Sequence, residues 1–195
     1  MIGYDMHRQS RRRFLEFGVT VGLTACLGAH GAMAENLAER AEIDKASDTV
    51  LQVLLASNAE AKTLSESALA MLIFPKVTET GLAGIGGKRG KGVLRENGKS
   101  IGYYRTTSLT FGAQMGFETH GYVAMFMKQI AIRDFTAKDD YEVTAESEIT
   151  VMDESSSART SLSGTNPGIV VFVFDEKGAR LDLTVNGTKI NRMDI

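Results

Sequence analysis

Five basic side chains crowd one short stretch: Lys88, Arg89, Lys91, Arg95 and Lys99, with Glu96 the single acid among them. Residue types in that pattern hold anions, and two chemistries compete for them. A solvated hairpin uses lysines to keep its edge from pairing with other chains. A headgroup patch uses them to meet anionic phospholipid, where each basic residue near the surface contributes about 1 kcal/mol. Three to five such residues support weak, salt-sensitive association at roughly 3–5 kcal/mol.

Sharper chemical motifs nearby fail on context. Gly98-Lys99-Ser100-Ile101-Gly102 has the GxSxG spacing of serine hydrolases, which place the serine on a strand-to-helix elbow. Here the motif follows an Asn97-Gly98 turn and runs into Tyr103-Tyr104, which is strand material. His120 is the one histidine downstream, with no acid evidently positioned to complete a triad. Gly84 to Gly92 suggests a phosphate loop but matches neither GxxxxGK[ST] nor GxGxxG, and no helix start follows it. His120 itself, among apolar neighbours, reads as a packed residue. Phe111, Phe117, Tyr122 and Phe126 read as core that could also line an apolar pocket. A periplasmic carrier holding an apolar or lipid ligand in a pocket lined by the segment Gly112 to Met127 is the alternative function.

The elements that must position these residues are legible from periodicity. Asn36 to Ala56 reads as an amphipathic helix with Leu37, Ile43, Val50, Val53 and Leu54 on one side. Ser57 to Leu69 reads as a second, with Ser65 a candidate cap, and Phe74-Pro75 is expected to turn the chain. Strands are expected at 71–74, 92–95 and 101–107, the last two joined by a hairpin at Asn97-Gly98. Residues 112–127 read as one strand or two, 128–135 as a short helix, and 141–151 as one alternating strand. Ile169 to Phe174 reads as a buried strand, and 181–185 as another before a turn at Asn186-Gly187. Nine glycines between Gly81 and Gly112 imply tight turns or close backbone approach. The fold expected is α+β: N-terminal helices, then a mostly antiparallel sheet curled towards a barrel, with one short inserted helix.

The N-terminus reads as an export signal. Ser10-Arg11-Arg12-Arg13-Phe14-Leu15 is a twin-arginine signature, an apolar stretch runs from Phe17 to Leu27, and Ala32-Met33-Ala34 supplies a cleavage site. Glycines and threonines interrupt the apolar stretch, which falls short of the roughly 20 residues a span needs. Leu23-Thr24-Ala25-Cys26 is an alternative lipoprotein box that would anchor the protein through Cys26. A cut after Ala34 leaves 161 residues with 18 basic and 22 acidic side chains. That acidic balance is the reverse of a nucleic-acid-binding domain's. Lacking cysteine and keeping only His120, the processed chain has too few ligands for zinc, haem or iron–sulfur sites, so no cofactor is expected.

Taken together, Leu72-Ile73-Phe74-Pro75-Lys76-Val77, Gly90-x-Gly92-Val93-Leu94, Gly102-Tyr103-Tyr104 and Gly112-Ala113-Gln114 resemble the SYLF lipid-binding domain family, once described through its yeast Ysc-type actin-binding members. Gly187-Thr188-Lys189-Ile190-Asn191-Arg192 is similar to the ending of bacterial members, and the resemblance spans nearly all of residues 36–192. It implies one domain over 36–195, no catalytic residues, and binding of phosphoinositides or other anionic phospholipids. Actin binding belongs to some eukaryotic members. An exported bacterial chain meets neither actin nor, ordinarily, phosphoinositides, so phosphatidylglycerol or cardiolipin in the periplasm are the ligands expected. The charged run Ala179 to Thr184 departs from the family's glycine-rich apolar segment.

Overall fold

The structure, a computed structural model, describes residues 20–82, 85–111, 116–144, 147–153, 159–161, 167–175 and 187–195. The chain divides into two compact units, residues 1–39 and 40–195. Arg11, Arg12 and the run 181–186 lie outside the described residues, as do the side chains of Phe111 and Phe117.

Helix α1 is Thr20–Ser57 and α2 is Ala59–Ser67, so helix begins well before the expected Asn36 and contains both Cys26 and an exposed Ala34. Asn58, rather than Ser65, caps α2: its Oδ1 accepts from the Ala61 backbone N–H at 2.8 Å. Within α1, Ile43 and Leu54 are buried as the periodicity requires, whereas Leu37 and Val53 are exposed.

Then come β1 (Ala70–Leu82), β2 (Ile85–Glu96), β3 (Lys99–Phe111), β4 (Gly116–Phe126), helix α3 (Gln129–Thr136), β5 (Asp140–Glu142), β6 (Ile149–Asp153), β7 (Arg159–Ser161), β8 (Ile169–Asp175) and β9 (Lys189–Met193). They form one sheet in the order β5-β9-β3-β2-β1-β4-β8-β6-β7, antiparallel except for the β6–β8 pair. The α+β architecture is the one expected.

The glycine block holds both readings of its glycines: long strands in which the backbone is approached closely at Gly90 and Gly92, and a tight turn at Gly98. One local expectation fails, for a physical reason. Pro75 lies in a bulge within β1 instead of ending an element, at the register shift between Phe74 and Val77. A Cβ on Gly92 would collide with the Ile73 carbonyl oxygen and stand 2.8 Å from the Phe74 ring. Within the block, the turn at Asn97 (φ 51°) and Gly98 (φ 76°) uses left-handed backbone, as a two-residue hairpin does.

The alternating run 141–151 is also not one strand. Residues 143, 144, 147 and 148 lie outside the strands, and the Ser147 N–H donates to the Thr144 carbonyl at 3.1 Å. The break has a topological use. β5 and β6 are seven strands apart in the sheet order, about 34 Å if the sheet were flat at ~4.8 Å per strand. The chain from Glu142 to Ile149 spans at most about 25 Å. The sheet must therefore curl, bringing its far edges together.

Curling gives the sheet two differently packed faces. Its inner face buries Leu72, Phe74, Leu94, Tyr104, Phe126, Val143, Ile149, Val171 and Ile190, plugged by Ile132 and Phe135 of α3. The outer face buries Ile73, Val93, Val123, Met125, Val170 and Phe172 beneath Ile43 and Leu54 of α1 and Ala61 of α2. The helices cover that outer face near the Asn97-Gly98 hairpin.

Candidate functional site

Side chains alternate along β2, so the basic cluster cannot be one patch. Lys88 points inward with Gly90, Gly92 and Leu94. Its side chain is 10% exposed and pairs with Glu79 of β1 at 3.4 Å, directly opposite it in register. Arg89, Lys91 and Arg95 point outward.

Arg95 is not available to a ligand either. Its side chain is 13% exposed and locked to α1: Nη1 pairs with Asp48, and Nη2 donates to the Asp44 carbonyl at 3.1 Å. Asp44 gathers more donors from the same hairpin, Ser100 Oγ at 2.7 Å and Tyr103 Oη at 2.8 Å. Arg40 lies 5.6 Å from the Tyr103 ring centroid, adding a cation–π contact. Burial, and then the hydrogen bond to Asp44, push the Tyr103 pKa upward. This network fastens α1 to the β2–β3 hairpin and gives the GxSxG serine a structural partner. His120, buried on the inner face, lies on the other side of the sheet from Ser100.

What remains on the outer face is Arg89 and Lys91, and the sheet brings them cations that sequence proximity did not suggest. In register, one cross-strand row reads Lys76, Lys91, Arg105, Asn191, Asp140; the next reads Thr78, Arg89, Thr107, Lys189, Glu142. Lys76, Arg89, Lys91, Arg105 and Lys189 are all exposed. Lys99 is exposed as well, but sits beside the hairpin turn at the far end of the strands. An open groove of about 770 Å³ follows the second row, where Thr78, Thr80 and Thr107 supply hydroxyls and Arg89 and Lys189 supply charge, with the inward pair Lys88 and Ser108 also at its border.

Lys76, Arg105 and Lys189 are the residues that sequence reasoning missed. Their spacing along the chain carries no signal; only strand register places them. Directly opposed like charges are destabilising in a sheet, so two successive cation–cation pairs in one row run against the rule for a purely structural surface. The cations across β1–β3, the hydroxyl donors and their exposure suit phosphate oxygens.

The inner face offers a different site. A cavity of about 60 Å³ is walled by Phe126, Phe135, Val171 and other apolar groups, with Lys88, Thr106, His120, Tyr122 and Thr188 at its polar parts. Burial drives the Tyr122 pKa far up, opposed by the Thr106 hydroxyl beside it. The segment expected to line an apolar pocket does so through Tyr122, Ala124 and Phe126. Yet about 150 Å³ is what a benzene-binding cavity measures, so this one is far too small for an acyl chain. Among the described residues no helix is long and apolar enough to cross a membrane.

No family model and no curated protein matches the chain.

Proposed function

We propose that this protein is a non-enzymatic, exported module that docks on anionic phospholipid surfaces through the outer face of β1, β2 and β3. The observation that carries the reading is the in-register row Lys76–Lys91–Arg105, three cations opposed across three strands. The SYLF resemblance points to the same ligand class, and the twin-arginine signature points to the periplasm as the place where it is met. The narrow interior cavity speaks against the alternative, a carrier that encloses a lipid.

Sedimentation of the purified protein with phosphatidylglycerol vesicles, against neutral phosphatidylcholine vesicles, tests the reading. Replacing Lys76, Lys91 and Arg105 together by Gln is expected to lower affinity about 100-fold at low salt, at about 1 kcal/mol per charge. Lys88→Gln is expected to lower thermal stability while leaving vesicle affinity within about twofold, because its charge faces Glu79. Equal binding to both vesicle types, or an unchanged affinity in the triple variant, would overturn the proposal.

A further inference from the structure

The basic face is polarised, and its polarity has a specific origin. Both cross-strand rows end on strand β5 in carboxylates, Asp140 in the first and Glu142 in the second. β5 is held firmly in that position: Asn191 Nδ2 donates to Asp140 Oδ1, the Arg192 N–H donates to the Asp139 carbonyl at 2.9 Å, and the Val143 N–H to the Thr188 carbonyl at 2.9 Å. Lys189 lies 3.8 Å from Glu142, both side chains more than half exposed. Residues paired in register share a face, so both carboxylates stand on the side that presents the cations.

Across the rows, charge therefore runs from positive at β1–β3 to negative at β5. Three strand spacings, about 14 Å, separate Lys91 from Asp140. That exceeds the Debye length of about 8 Å at physiological salt, so an anionic surface meets the two ends as distinct regions rather than as their average. A flat approach to the whole face brings β5 against like charge, and a tilt about the strand direction relieves it.

We infer that the Asp140–Glu142 edge is an electrostatic rim that tilts the docked domain, seating Lys76 and Lys91 on the phospholipid surface and holding Lys189 away from it. The inference rests on the docking reading above and adds to it which part of the face touches. In the unaltered chain, Lys189 contributes little because Glu142 neutralises it and the rim lifts it. With the rim neutralised, the domain lies flatter and Lys189 engages.

The test is a vesicle-binding cycle at physiological salt, where the Debye length stays below the separation of the two ends, with phosphatidylglycerol vesicles, comparing the unaltered protein, Lys189→Gln, the pair Asp140→Asn with Glu142→Gln, and all three together. Both rim substitutions are isosteric, and the amide introduced by Asp140→Asn keeps an oxygen to accept from Asn191. The pair is expected to tighten binding by about fivefold or more. Lys189→Gln is expected to cost less than about twofold alone and about fivefold in the rim-neutral background. Unchanged or weaker binding of the rim pair, or an equal effect of Lys189→Gln in both backgrounds, would overturn the rim while leaving docking intact. If the unaltered protein does not distinguish anionic from neutral vesicles, the docking reading itself fails and the rim falls with it.

Discussion

The two ends of the sheet's outer face carry the same kinds of residue and put them to opposite uses. Near the Asn97-Gly98 hairpin, helix α1 lies over the sheet, and Arg95 is drawn into a network with Asp44 and Asp48. Towards the other end of β2, Lys91 is exposed and has Lys76 and Arg105 as its register neighbours. Four to six residues along one strand convert a cation from a fastener into a surface charge. The lesson is that a basic cluster in sequence is not a unit of function. What each charge does depends on which element covers its stretch of strand.

Breaking the scaffold beneath both ends should have the largest effect. Gly92→Val sets a branched side chain against the Ile73 carbonyl and the Phe74 ring, and is expected to cost about 3 kcal/mol or prevent folding. Denaturant unfolding, or the absence of folded protein, reads the outcome. Uncoupling the covered end comes next. Arg95→Ala removes both carboxylate contacts and is expected to cost about 2 kcal/mol, discounted because Asp48 is more than half exposed, with little change in vesicle affinity. A stability unchanged by this substitution would erase the distinction between the two ends.

The smallest effect belongs to the tyrosines under the covered end and in the interior. The pKa values of Tyr103, Tyr104 and Tyr122 are all raised, chiefly by burial. Below the ordinary tyrosine value near 10, both folded and unfolded states hold these protons and stability is unaffected by them. As pH rises above that value the unfolded state loses protons first, so stability declines, and it continues to do so until the folded-state values are passed. Ionisation of these three tyrosines in the folded protein is therefore expected to lag behind that of free tyrosine, and the melting temperature to fall above about pH 10.

Much of the fold was legible because local signals are local. Asn97-Gly98 names a two-residue hairpin from backbone sterics alone, and the structure has both residues at positive φ. Ile169 to Phe174 is apolar without interruption, and β8 is buried through Val173 between the two cores. The short helix after Met127 is there as expected. Glycine left two readings open, since its one chemical property, the lack of a Cβ, serves turns and crowded strands alike. Gly92 is needed because Ile73 and Phe74 press on it across the sheet. Nothing adjacent to it in the chain says so. The run 141–151 misled: its alternation is real, with Val143, Ile149 and Val151 all buried, but two short strands far apart in the sheet order satisfy the same pattern.

The sequence by itself determined the element types, the hairpin, the apolar residues that must be hidden and the presence of five clustered cations. Those follow from backbone sterics and side-chain periodicity, which act within a few residues. Tertiary structure alone decided how the cations were divided. Lys88 went inward to Glu79 and Arg95 went to α1, while Arg89 and Lys91 joined Lys76, Arg105 and Lys189 on an open face. The physical reason is that charges act on whatever lies within a few ångströms. In a curled sheet, register rather than chain order decides which residues those are.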